Sequence, residues 1–87
     1  MNVLEVVMID EMHTIEFGNS TWNPEEMSVR NRFSTNRGNF SPHSSSEISF
    51  GDLELIMVEI ARRDFLPINC TARIIQVLAD SISRRVR

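Results

Sequence analysis

Residues 49–86 read SFGDLELIMVEIARRDFLPINCTARIIQVLADSISRRV, and this stretch predicts two helices separated by a connector. Pro67 belongs to the connector, because proline cannot continue a helix and biases the preceding residue away from helical geometry. We predict helices over residues 49–63 and 72–86, with a short turn between them. The apolar residues of the first helix fall at the i, i+3, i+4, i+7 spacing of one helical face: Leu53, Ile56, Met57 and Ile60.

The second helix shows the same period, with these apolar residues on one face: Ile74, Ile75, Leu78, Ala79, Ile82 and Val86. Ser49 is expected to be the N-cap of the first helix, because its hydroxyl can accept a hydrogen bond from a backbone N–H that has no partner within the helix. We interpret both apolar faces as core. An unpaired charge at Ile56 or Leu78 is therefore expected to unfold the domain.

The composition describes one small globular domain over residues 1–87. A length of 87 residues, a hydrophobic content of 41% and a formal net charge of −3 allow one core and favour no nucleic-acid partner. No run approaches the roughly 18 consecutive apolar residues of a membrane span, so no membrane partner is expected. The lone cysteine, Cys70, cannot form an internal disulfide, which fits a reducing compartment. We expect a cytoplasmic protein.

The first part of the chain is ambiguous between helix and strand. Residues 3–16 keep a helical spacing of apolar residues, yet they are rich in β-branched valine and isoleucine, which favour strands. We prefer the helix. Residues 22–27 read WNPEEM and indicate a short helical turn that Asn23 caps and Trp22 anchors to the core. Residues 34–48 consist almost entirely of turn and loop residues and predict a flexible loop.

Two stretches resemble the acyl and peptidyl carrier proteins. Residues 22–33, WNPEEMSVRNRF, are similar to the family's loop after its first helix, where a pair of acids precedes an apolar residue and a later phenylalanine. Residues 49–57, SFGDLELIM, are similar to the family's modified serine and the apolar-Glu-Leu run after it. The resemblance implies an all-α fold, a small four-helix bundle of acyl-carrier-protein type with a long loop between helices I and II. The chain would be a divergent member, since Ile48 stands where an aspartate is usual.

The same resemblance implies a site and a function. Ser49 would carry a covalent 4'-phosphopantetheine arm, making the chain a phosphoprotein that holds thioester-linked acyl or aminoacyl intermediates during fatty-acid, polyketide or related biosynthesis. Phe50, Leu53 and Met57 would form the apolar strip that partner enzymes meet, and Glu54 would pair with their basic patches. The implied partners are a phosphopantetheinyl transferase and acyl-transferring enzymes, and such a carrier would be a monomer.

Other functions stay open at this point. The sequence contains no Ser/His/Asp or Cys/His arrangement, no phosphate-binding glycine loop and no metal-ligand spacing, so we expect neither an enzyme nor a metal site. Ser49 can equally be a helix cap without any modification. The alternative function is a small non-enzymatic adaptor or regulatory protein that binds a partner or dimerises through its C-terminal helix hairpin.

Overall fold

The computed structural model describes residues 1–35, 41 and 45–86. Its elements, in chain order, are four strands and two helices: β1 Asn2–Asp10, β2 His13–Asn19, β3 Met27–Phe33, β4 Ser46–Ser49, α1 Phe50–Arg62 and α2 Ile68–Arg85. The strands form one antiparallel sheet in the order β1-β2-β3-β4, so each strand pairs with the next along the chain. The fold is α+β. The predicted all-α four-helix bundle, and with it the description as a helical bundle, is wrong.

The chain divides into two compact units, Met1–Leu55 and Ile56–Arg87. The first unit contains the sheet and the start of α1, and the second contains the rest of α1 together with α2. α2 begins at Ile68, so it includes the segment that the sequence analysis assigned to a separate turn. In the described part of the chain, neither helix has the length and apolar character needed to cross a membrane.

The N-terminal segment predicted as a helix over residues 3–16 is instead a β-hairpin. β1 pairs with β2 so that Val7 lies opposite Ile15. Asp10 shapes the turn, because its Oδ1 accepts a hydrogen bond of 2.8 Å from the Met12 backbone N–H. β-Branched side chains lose rotamer freedom in a helix and pack well on a pleated sheet. That preference outweighed the helical spacing of the apolar residues.

The segment predicted as a helical turn over residues 22–27 is a non-helical turn that leads into β3. The Glu26 N–H donates to the Asn23 carbonyl oxygen at 3.1 Å, and the Glu25 N–H donates to Asn23 Oδ1 at 3.0 Å. The asparagine side chain therefore closes a local turn instead of starting a helix. Trp22 is exposed, so it does not anchor this turn to a core.

The flexible loop predicted over residues 34–48 is described only in part. Residues 36–40 and 42–44 lie outside the described residues. The end of the predicted loop is wrong, because β4 begins at Ser46. Pairing with β3 satisfies the backbone groups of these polar residues, so their composition did not exclude a strand.

One face of the sheet carries a buried ion pair. Glu16 is 4% exposed and lies opposite Arg30 in the register of β2 and β3. Arg30 donates to Glu16 Oε1 from Nη2 at 2.6 Å and from Nε at 2.8 Å, and Arg32 lies 3.6 Å from the second carboxylate oxygen. A buried carboxylate is tolerated only where it is paired. The contact therefore helps to fix the register of the two strands.

The opposite face of the sheet is apolar and half-buried. The strand register aligns these side chains on it: Ile15, Phe17, Val29, Phe33 and Ile48. The rings of Phe17 and Phe50 meet edge to face, with centroids 6.3 Å apart and an angle of 74°, which is a favoured aromatic geometry. Among residues 1–35, 41 and 45–86, nevertheless, no hydrophobic residue is buried. The described residues therefore lack the closed apolar core that the sequence predicted.

Gly18→Ala is expected to disrupt the pairing of β1 with β2. A Cβ atom at Gly18 would come 1.9 Å from the Asn2 carbonyl oxygen, so the backbone of β1 must shift. Gly51→Ala is the matched control, because nothing lies within 4 Å of its Cβ and alanine is better than glycine inside a helix by about 1 kcal/mol. Urea unfolding should give a lower free energy of unfolding for Gly18→Ala than for wild type, whereas Gly51→Ala should show no loss. Equal stability of Gly18→Ala and wild type would contradict this close approach.

Glu47 in β4 holds the segment that follows β2 through Thr21. The Thr21 backbone N–H donates to Oε1 at 2.9 Å and its hydroxyl donates to Oε2 at 2.7 Å. Burial acts to raise the pKa of Glu47, but the two hydrogen bonds, with the Met1 ammonium and the Arg30 guanidinium, bring that pKa below its ordinary 4.5. The carboxylate therefore contributes stability above 4.5, and the contribution is lost as the pH falls through the lowered pKa.

Thr21→Val should reduce the free energy of unfolding at about pH 7, and the difference from wild type should shrink as the pH falls well below the ordinary pKa of a glutamate. The reason is that valine removes a hydroxyl that favours the ionised form of Glu47. Thr21→Ser is the control and should behave as wild type, because it keeps the hydroxyl. Urea unfolding across this pH range measures the effect. A difference that stays constant with pH would show that the Glu47 carboxylate is not its source.

Candidate protein-interaction surface

Ser49 ends β4, and its side chain caps α1. Its Oγ accepts a hydrogen bond of 3.1 Å from the Asp52 backbone N–H, which is the contact expected of an N-cap. Ser49 is 3% exposed, so its hydroxyl is both enclosed and already engaged. A covalent arm requires a hydroxyl that a transferase can reach. The carrier resemblance predicts attachment of phosphopantetheine to Ser49, whereas these contacts favour the cap.

The other residues implied by the carrier resemblance lie along α1. Phe50, Leu53 and Glu54 are exposed, whereas Met57 is half-buried. Leu53 and Met57 are four residues apart and share a helical face. Phe50 is tied to the sheet by its contact with the Phe17 ring. α1 thus keeps Phe50, Leu53 and Met57 on one helical face, at i, i+3 and i+7, and its recognition by partner enzymes stays a prediction.

A continuous apolar stripe covers one exposed side of α2. We define the α2 stripe as six exposed residues: Ile68, Ala72, Ile75, Leu78, Ala79 and Ile82. Apart from Leu78, which lies beside them, its members follow one another at alternating steps of four and three residues. This alternation is the spacing of a seam between two packed helices. Ile75 is 61% exposed and Ile82 is 58% exposed, so the seam is open.

Two positions interpreted as core from the sequence lie at the surface. Ile56 and Leu78 are 41% and 58% exposed. A charge placed at either position would stay in contact with water. The unfolding that the sequence predicted for such a charge is therefore not expected from these exposures. Helical spacing identifies the residues that share a face, but it does not reveal whether the chain itself covers that face.

The α2 stripe borders an apolar groove in the second unit. The groove has a volume of about 270 Å³, and its lining residues are apolar apart from Thr71. Side chains from both helices line it, among them Met57, Val58, Ala61, Ile74, Ile75 and Leu78. Ile75 and Leu78 belong to both the groove and the stripe. An apolar segment that lies in the groove would therefore also contact the stripe.

Three of the four charged residues of α2 lie away from the stripe. Arg73, Asp80 and Arg84 are exposed, and they lie roughly 140–180° around the helix axis from Ile75 at 3.6 residues per turn. The fourth, Arg85, borders the C-terminal end of the stripe beside Ile82. A partner can therefore cover the stripe without burying Arg73, Asp80 or Arg84. This separation of charged and apolar faces is typical of an interaction helix.

Titratable side chains gather at a depression beside the turn that joins β1 to β2. These residues line it: Asp10, Glu11, Met12, His13 and Phe33. The His13 ring is stacked on Phe33 at a centroid distance of 4.3 Å and forms a hydrogen bond with Asn31, so it supports the sheet. Within the described residues, no group of three or more His, Cys, Asp or Glu side chains could hold a metal ion.

Four of the six residues of the α2 stripe were predicted from the sequence as core: Ile75, Leu78, Ala79 and Ile82. Ile68 and Ala72 were missed, because the second helix was predicted to begin at residue 72 and Ala72 was not counted in its apolar face. The steps of three and four residues do not separate a core face from an exposed one, since an amphipathic helix shows the same steps in both.

We expect no phosphopantetheine arm on Ser49, because its hydroxyl is enclosed and accepts the Asp52 N–H. Wild type and Ser49→Ala should be incubated with coenzyme A and several phosphopantetheinyl transferases, and their masses measured. Neither mass should increase. Addition of one arm to wild type but not to Ser49→Ala would overturn this expectation and restore the carrier function.

Comparison with protein-family models, with curated proteins and with solved structures finds no match. Membership of the carrier family, suggested by residues 22–33 and 49–57, stays a prediction.

Proposed function

We propose that this chain is a non-catalytic adaptor that binds a partner through the α2 stripe and the groove beside it. The observation that carries the proposal is a run of large aliphatic side chains, each more than half exposed, along one helix: Ile68, Ile75, Leu78 and Ile82. Single exposed hydrophobic residues are ordinary at protein surfaces, whereas a contiguous patch marks a site of interaction.

The exposed area supplies the driving force for association. Full burial of one aliphatic side chain contributes about 1.5–3 kcal/mol. The four large side chains of the α2 stripe together therefore offset a substantial part of the translational and rotational freedom lost on binding. The adaptor needs no reactive group for this task.

An amphipathic helix is the partner element that suits this surface. Ile75, Leu78 and Ile82 recur at i, i+3 and i+7, which is the spacing used when helices meet along an apolar groove. The wall of the adjoining groove is apolar, so the partner is expected to insert aliphatic side chains. Because Arg73, Asp80 and Arg84 lie on the other side of α2, they remain hydrated in the complex.

The carrier function receives less support from the geometry. A carrier presents its serine to several enzymes, whereas Ser49 is enclosed and acts as a cap. The four-helix bundle that the resemblance implied is replaced by a sheet and two helices. The proposed adaptor binds through the α2 stripe, whose large side chains are exposed.

A photo-crosslinking amino acid placed in the full chain tests the proposal. Introduced at Ile75, it should give a discrete crosslinked protein band after irradiation of cells that express the chain, because Ile75 lies in the stripe. Introduced at Val77, it should give none. Val77 is the matched control, since its exposure of 57% is close to the 61% of Ile75 and it lies roughly 200° around the helix from Ile75.

Crosslinking of equal strength from both positions would contradict the proposed site, because it would show only random encounters of apolar side chains. Absence of a crosslinked band from every position of the stripe would contradict the adaptor function itself. A band from Ile75 alone supports binding through the stripe, whether the captured protein is another chain or a second copy.

A further inference from the structure

We infer that the partner of the α2 stripe is α2 of a second copy of this chain, and that two copies pair antiparallel about a two-fold axis. The inference rests on the proposed function, because it uses the same surface and names what covers it. Four features of the helical unit support it: the alternation of large and small residues, the position of Arg85, the exposed area and the shared use of the groove.

Antiparallel pairing places large side chains opposite small ones. With the two-fold axis at the level of Val77, Ile75 of one copy faces Ala79 of the other, and Ile82 faces Ala72. A parallel pair in register would instead put isoleucine against isoleucine and alanine against alanine, which leaves gaps at the alanines. The same helix therefore supplies both halves of a complementary surface.

The arginine beside the stripe favours the same orientation. Arg85 lies in the last turn, on the side of α2 that carries Leu78 and Ile82, so a parallel pair would bring two guanidinium groups together at one end of the interface. In an antiparallel pair, the two ends lie about 27 Å apart along a helix of 18 residues. Opposed helix dipoles add a favourable interaction.

The exposed area supplies about half of what a standard stable interface buries. Full burial of one exposed aliphatic side chain removes on the order of 100 Å² of apolar surface from water. Six large side chains of this surface are partly to largely exposed: Ile68, Ile75, Leu78, Ile82, Val58 and Val86. At these exposures they amount to about 400 Å² per chain before the alanines are included, against about 800 Å² per partner in a standard stable interface.

The groove also supports a two-fold pair. Ile75 and Leu78 line the groove and also belong to the stripe, so each copy offers both the ridge and the depression that receives it. In a two-fold contact each surface is used by both copies, which ends the assembly at two chains instead of extending it into a filament. A helix of a different protein could fill the groove, but its binding would not explain why isoleucine and alanine alternate along α2.

Light scattering coupled to size-exclusion chromatography tests the pairing. Wild type should elute with twice the 10.0 kDa of one chain. Ile82→Glu should elute as a monomer, because it places two carboxylates in the interface, whereas Val77→Glu should remain a dimer. The two residues are matched, with exposures of 58% and 57%. Circular dichroism should show equal helix content in all three chains, which excludes unfolding as the cause.

Disulfide trapping tests the orientation. In a Cys70→Ser background, chains with Ala72→Cys are mixed with chains carrying Ile82→Cys and oxidised gently. The antiparallel pair predicts mixed disulfides that contain one chain of each kind, because these positions face each other. Each variant alone should remain unlinked, since its two equivalent positions lie about 15 Å apart along the helix. The antiparallel arrangement would be overturned if each variant alone formed disulfides and the mixture contained no more mixed disulfides than random pairing gives.

The results separate this inference from the proposed function. A monomeric wild type that still gives a crosslinked band from Ile75 would overturn pairing with a second copy and leave the adaptor function in place. A monomer without any such band would overturn both. A dimer that Ile82→Glu does not dissociate would overturn the assignment of the interface to the α2 stripe.

Discussion

The exposure of large aliphatic side chains along α2 is the constraint from which the interpretation of this protein follows. Water in contact with apolar surface disfavours the exposed state, and the effect is proportional to the area. The proposed association with a second copy would remove part of this surface from water.

The sheet is organised by different forces. Its most enclosed side chains are polar: Glu16, Ser20, Ser28 and Ser49. Glu16 is paired with Arg30, Ser20 and Ser28 form a hydrogen bond with each other, and Ser49 caps α1. Each of these groups would be costly to bury alone, so their mutual satisfaction specifies strand register more than it adds stability. The two units thus differ in what holds them together.

The likeness to carrier proteins has a physical origin that does not require a shared function. A serine followed by an apolar-Glu-Leu run is also what an N-capped amphipathic helix requires, because the hydroxyl satisfies a backbone N–H and the apolar residues share a face. Ser49 performs the capping role with Asp52. The same sequence pattern can therefore occur at the attachment site of a carrier protein and at the strand-to-helix junction of this fold.

The sequence by itself determined the two C-terminal helices, the connector at Pro67 and the cap at Ser49, because these depend on local geometry and on contacts within a few residues. It did not determine the sheet, since the spacing of residues 3–16 satisfies a helix and β-branched residues favour a strand, and only pairing with distant β2 and β3 residues decides between them. The sequence did not determine burial either. Whether Leu78 lies in a core or at a surface depends on what packs against α2, which local spacing does not specify; in the structure Leu78 is 58% exposed.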